Sequence, residues 1–225
     1  YQADDLTYAQ LAQFMRKLTI GDATKDSDDY ISTLVMGDFS GGGQAWNVVR
    51  FRRGFDSRSI DPVRIPGEKV RNDRTAFLAK LSDILNSDYE GQKVQAMFFD
   101  SAFGAPYVER LQAMGHRNVH EVRFGGESPD SHQANMRAYM WNRLKEWLAN
   151  GCIDSKDTKL ETDLTAPGYH LNKQDKLVLE SKEDMQKRGV ASPDDADALA
   201  LTFAARIQPN TQEFKAPPLG QSAWH

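Results

Sequence analysis

Two hydrophobic rhythms take turns along the chain, one helical and one of buried or alternating strands, and their succession predicts an α/β protein. Residues 5 to 17 (DLTYAQLAQFMRK) carry apolar side chains at helical spacing, and the polar run GDATKDSDD after them reads as a loop or linker. YISTLVMGD then reads as a buried strand ending at Asp38, and AWNVVRFRRG, residues 45 to 54, as a β-rich alternating one. A third short strand is expected over 60 to 65, and Pro62 within it and Pro66 after it suggest an edge position, since proline donates nothing to a ladder. Beyond it come an amphipathic helix over 73 to 85, a strand VQAMFFD that again ends in aspartate, at Asp100, a helix over 105 to 114 and a strand over 119 to 124. A long helix over 133 to 149 aligns Met136, Met140, Leu144 and Leu148 on one stripe. The stretch 150 to 191 reads as irregular with short elements, a last helix starts at Ser192, and 208 to 225 reads as a solvated tail.

Three strands followed by alternating helices and strands are expected to form a mixed β-sheet flanked by helices. Reactive groups in open α/β sheets gather beyond the carboxyl ends of strands, where Asp38 and Asp100 both fall.

The start of the last helix, SPDDADALALTF, sets three aspartates within four positions ahead of an apolar run. Ser192 suits an N-cap, Pro193 the first turn, and Asp195 the capping-box position. At about 100° per residue, Asp195, Thr202 and Arg206 share one narrow polar strip, so Asp195 is expected to face water. Asp197 lies about 200° from it, on the side facing the protein, and Asp194, three residues earlier, converges on the same spot. Each strand-end aspartate alone is explained by a turn or cap, and Asp197 alone by the helix dipole. Together with the final helix they describe a divalent-cation site, in which hard oxygen ligands stay ionised because the metal offsets their repulsion. Two Mg²⁺ or Mn²⁺ ions, roughly 4 Å apart, would activate water and support the leaving oxygen of a phosphodiester.

A formal net charge of -4 excludes a simple polycation that coats nucleic acid, so any such contact must come from local patches. Between Arg50 and Arg74 there are eight Lys and Arg against four Asp and Glu, and Arg50, Arg52, Arg53 and Arg58 on and after the second strand are candidates for phosphate contact. Lys182, Lys187 and Arg188, just before the acidic helix, form a second candidate group, placed to position a scissile phosphate. Cys152, the single cysteine, excludes an internal disulfide. No apolar run approaches the roughly 20 residues of a membrane helix. His116, His120, His132 and His170 lack metal-ligand spacing, Trp141 and Trp147 read as helix core, and no GxxxxGK motif followed by Ser or Thr cradles a nucleotide.

The phrases VMGDFSGGG, MFFDSAFGAPYVERLQAMG, NMRAYMWNRLKEWLANG, DLTAPGYHLN, LVLESKEDMQKRG and SPDDADALALTFA resemble the C-terminal nuclease domain of the large terminase subunit of tailed bacteriophages, over residues 31 to about 205. The resemblance implies an RNase H-like fold related to RuvC resolvases and a metal-dependent endonuclease that cuts concatemeric viral DNA in the host cell cytoplasm. It implies Asp38, Asp100 and the Asp194/Asp197 group as metal ligands. It further implies double-stranded DNA, an ATPase domain, a small terminase subunit and the portal as partners. On this reading residues 1 to 30 are the remnant of a connection to an ATPase domain, 31 to 207 the nuclease domain and 208 to 225 a tail. Where many relatives carry a further acid after the glycine turn, this chain has Gln44, Ala45 and Trp46. Two rival readings are a junction resolvase and a docking module for DNA or portal whose acids serve structure alone.

Overall fold

The computed structural model describes residues 46–207 and the backbone of the strand at 31–36. The expected helix over 5 to 17, the linker up to residue 30, Asp38 and the tail from 208 all lie outside the described residues.

A strand apolar at four successive positions must be covered on both faces, and AMFFD forms such a strand, β4 (Ala96–Asp100). Ala96 and Phe98 enter one hydrophobic core and Met97 and Phe99 another, so β4 separates two apolar layers. β1 (Ile31–Met36) runs parallel beside it with Val35 opposite Phe99, and both strands therefore reach their carboxyl ends at the same edge. β2 (Trp46–Arg53) pairs antiparallel with β1, and β3 (Val63–Pro66) antiparallel with β2. β5 (Val119–Val122) continues the sheet parallel to β4, giving the order β3-β2-β1-β4-β5. This is the mixed sheet expected from the pattern, and β3 takes the edge position that its prolines require.

Helices α1 (Gly67–Asn72) and α2 (Arg74–Asn86) follow β3, and α3 (Ser101–Ala113) follows β4. α3 begins four residues before its expected start and runs through Pro106. It can do so because Asp100 caps it, accepting a 3.4 Å hydrogen bond from the Ala102 amide. A Cβ at Gly104 would come within 2.5 Å of the Phe99 Cβ, so glycine at that position lets α3 lie directly on β4. α4 (Met136–Trp147) buries Met140 and Leu144 as its stripe predicts. The stretch expected to be irregular contains α5 (Thr158–Thr165), a hairpin of β6 (Tyr169–Leu171) and β7 (Leu177–Leu179), and α6 (Lys182–Lys187).

The last helix, α7 (Asp194–Leu201), is buried along its whole length and packs on β1, β2, β4, α4 and α5. It begins at Asp194 with Pro193 at the cap, and no side chain caps it. The expected capping box does not form, because Ser192 Oγ donates to Asp194 Oδ1 at 2.6 Å instead. No helix among the described residues is long and apolar enough to cross a membrane.

Candidate functional site

A helix buried all round cannot leave three carboxylates without partners, since an isolated buried charge costs several kcal/mol. α7 solves this by sending each acid to a different set of donors. Asp197, fully buried, accepts from Arg137 Nε at 3.0 Å and from the Trp141 indole at 2.7 Å, while Lys182 Nζ stands 3.4 Å away. Burial pushes its pKa up, but Arg137, Lys182 and these hydrogen bonds outweigh burial and hold it below the usual carboxylate range.

Asp195 does not face water as its place on the helical wheel suggests: it is 1 % exposed. Arg50 donates to its Oδ1 from Nε at 2.9 Å and Arg64 from Nε at 3.0 Å, and both arginines also bind Asp157. The Asp195 amide in turn donates to Asp163 at 2.9 Å. The wheel misleads because its polar strip turns toward β2 and β3, from which Arg50 and Arg64 reach it. Thr202 on the same strip is fully buried and accepts from Arg52 Nε at 2.8 Å.

Asp194 and Asp100 are different. Asp194 accepts from the Trp46 amide at 3.3 Å and from Ser192, with Lys182 at 3.7 Å, and it has no arginine. Burial raises its pKa, Lys182 and the hydrogen bonds offset this only in part, and Asp197 adds repulsion. Asp100, half-buried at the end of β4, is likewise raised, first by burial, against the opposing pull of the Ala102 amide, Lys182 and Arg137. Asp197 acts unfavourably on both acids and Lys182 favourably on both, so these four groups share one electrostatic neighbourhood. Within it Asp100 and Asp194 are the carboxylates left short of positive charge.

Two carboxylates short of positive charge could serve as hard oxygen ligands for a divalent cation, beside a third acid already paired with protein cations. Among the described residues no group of three or more His, Cys, Asp or Glu stands close enough to hold a metal ion by itself. A further ligand would have to come from elsewhere, and β1 ends at Met36 on the same edge as Asp100, two residues before Asp38.

The arginines of β2 are not arranged for phosphate. Arg50 is 2 % exposed and spends its guanidinium on Asp157 and Asp195. Arg52 is half-buried, its guanidinium 4.3 Å from the centre of the Phe203 ring and bonded to Thr202 and the Gly54 carbonyl; loss of solvent around it lowers its pKa to about 10. These two are corrected from phosphate contacts to internal anchors of α7, because the alternation that carries a strand's side chains to one face carries them here under the final helix. Arg53 is partly exposed and paired with Glu90. Lys187 pairs with Asp184, and Arg188 with Glu180, both at the surface away from the acids of α7. Arg58 is exposed, and of the seven candidates Lys182 alone stands beside Asp194 and Asp197.

Sequence reasoning missed Arg137, Trp141 as a hydrogen-bond donor, Arg64, Asp157 and Asp163. Their partners in other elements lie 32 to 131 residues away, and the local signals were Arg137 and Trp141, four apart on a helix with an apolar stripe, and Lys159 and Asp163, also four apart.

The strand order, the strand-end acid and the acidic final helix together make an RNase H-like fold of the kind seen in nuclease domains of phage terminases. The nuclease domain of the large terminase subunit of bacterial virus Sf6 matches 89% of this chain and 97% of its own, with a TM-score of 0.58 at 18% identity. A manganese-bound mutant of that domain gives 0.56 at 18%. The magnesium-bound large terminase nuclease of thermophilic phage G20c gives 0.51 at 14%, over 90% of this chain and 98% of its own. No protein-family model and no curated protein matches the sequence.

Proposed function

We propose that this chain is a metal-dependent endonuclease domain of a viral DNA-packaging terminase, which hydrolyses phosphodiesters of double-stranded DNA. The observation that carries the proposal is the contrast between Asp197, paired with Arg137 and held by the Trp141 indole, with its pKa lowered, and Asp100 and Asp194, whose pKa values burial raises. Resemblance of the fold to terminase nucleases of phages Sf6 and G20c, solved with manganese and magnesium, supports it.

Asp100 and Asp194 hold Mg²⁺ or Mn²⁺ on this reading, with Asp38 completing the set; Asp197 stands behind them and fixes Lys182 and the start of α7. Two dications held there would supply Lewis-acid activation of water and stabilisation of charge on the departing 3′ oxygen. Lys182, near both Asp194 and Asp197, orients the carboxylates and offers a cation to the scissile phosphate. The carboxylate of Asp100, held by the Ala102 amide, is fixed toward the sheet edge.

Asp100→Asn and Asp194→Asn are each expected to abolish Mn²⁺-dependent plasmid cleavage and to remove the thermal upshift that Mn²⁺ gives the parent protein. Cleavage at the parental rate by both variants would refute the assignment.

A further inference from the structure

Several arginines are spent on carboxylates: Arg50 and Arg64 on Asp157 and Asp195, and Arg137 on Asp197. Arg74 and Arg110 are not. They flank a cleft of about 220 Å³ whose other walls are Ala102, Phe103, Pro106 and Tyr107. No acidic residue lines it, and among the described residues neither guanidinium has a carboxylate partner.

Arg74 opens α2 and Arg110 lies near the end of α3, so two separate elements bring like charges to one opening. Like charges held together without an acid between them favour binding of an anion. The Tyr107 ring is buried in the floor, set edge-on against Phe77 at 5.1 Å; burial raises its phenol pKa, and Arg74 and Arg110 oppose that rise. The floor is rigid, since Gly104 seats this turn of α3 directly on Phe99. The cleft also adjoins the acid cluster: Ala102 forms part of its wall, and the Ala102 amide binds Asp100.

We propose, building on the nuclease reading above, that this cleft is a DNA subsite beyond the scissile bond, in which Arg74 and Arg110 clamp one phosphodiester. Phe103 and Pro106 supply an apolar face for the adjoining sugar or base. The guanidinium forks match phosphate oxygens in geometry, and the contact carries no sequence information. Its role is to hold the strand in register, so that a phosphate farther along meets Asp100 and Lys182.

The test measures duplex DNA binding by fluorescence anisotropy across a salt series, in an Asp100→Asn background so that the DNA stays intact. Adding Arg74→Gln with Arg110→Gln should weaken binding at least about fivefold at moderate salt. It should also make the slope of log K against log salt shallower by about 0.9, one phosphate contact. A control pair of equal charge, Lys145→Gln with Lys156→Gln, should change the slope by much less. An equal loss from both pairs, or none from the first, overturns the subsite while the nuclease reading stands. A parent protein that neither binds duplex nor cleaves it overturns both.

Discussion

Lys182 Nζ stands 3.4 Å from Asp197 Oδ2 and 3.7 Å from Asp194 Oδ1, one cation serving two acids of the same helical turn. Its position makes two opposing contributions. It lowers the negative charge that would draw a dication, and it supplies positive charge where a phosphate would lie.

Lys182→Gln should therefore separate binding of metal from turnover. The Mn²⁺ concentration needed for half-maximal cleavage is expected to fall, because the cluster becomes more negative, while the rate at saturating Mn²⁺ drops by about ten- to a hundredfold. A metal titration of plasmid cleavage checks both. A rate that falls together with weaker metal binding would assign Lys182 to structure.

Arg137 and Asp197 form a pair of which the arginine is a tenth exposed and the aspartate not at all. Removing one member leaves the other charged and buried, which costs about 3–5 kcal/mol. Arg137→Met should thus lower the urea midpoint substantially in metal-free buffer. Asp100→Asn, which removes a carboxylate already disfavoured by burial, should leave that midpoint unchanged or higher. Equal destabilisation by both variants would erase the distinction between an acid that anchors α7 and one that awaits a cation.

That distinction was beyond the reach of periodicity. The end of β4 at Asp100 was legible because four successive apolar residues followed by aspartate, as in AMFFD, admit few other readings. The convergence of Asp194 and Asp197 was legible because residues three apart on a helix are neighbours, and Lys182 touches both. The orientation of Asp195 was not. A helical wheel assumes one wet face, and α7 has none, since β2 and β3 deliver Arg50 and Arg64 to the strip that looked exposed. Buried arginine and exposed arginine read alike until the partner, 145 residues on for Arg50, is brought beside it. For the same reason the basic run after residue 50 suggested a DNA surface, whereas Arg50 and Arg52 hold the helix that carries the acids.

Asp163 closes this inner network, accepting from Lys159 Nζ at 2.6 Å and from the Asp195 amide at 2.9 Å, and it is 2 % exposed. Burial, only partly offset by Lys159, raises its pKa from 3.8 to about 6. The folded state therefore keeps a proton that the unfolded chain releases between those two values, and stability attributable to Asp163 falls as pH rises from about 4 to about 6. Above that window the full cost applies, on the order of 3 kcal/mol at 1.36 kcal/mol for each pKa unit. Below it both states are protonated and the contribution is constant. Asp163→Asn keeps an oxygen to accept from the Asp195 amide but cannot ionise, so its stability relative to the parent should improve across the same window. Urea denaturation of both proteins at intervals from pH 4 to pH 7.5, without metal, reads the difference directly. A difference that stays flat, or that runs the other way because the Lys159 ion pair outweighs burial, would show that Asp163 is held as a stabilising carboxylate.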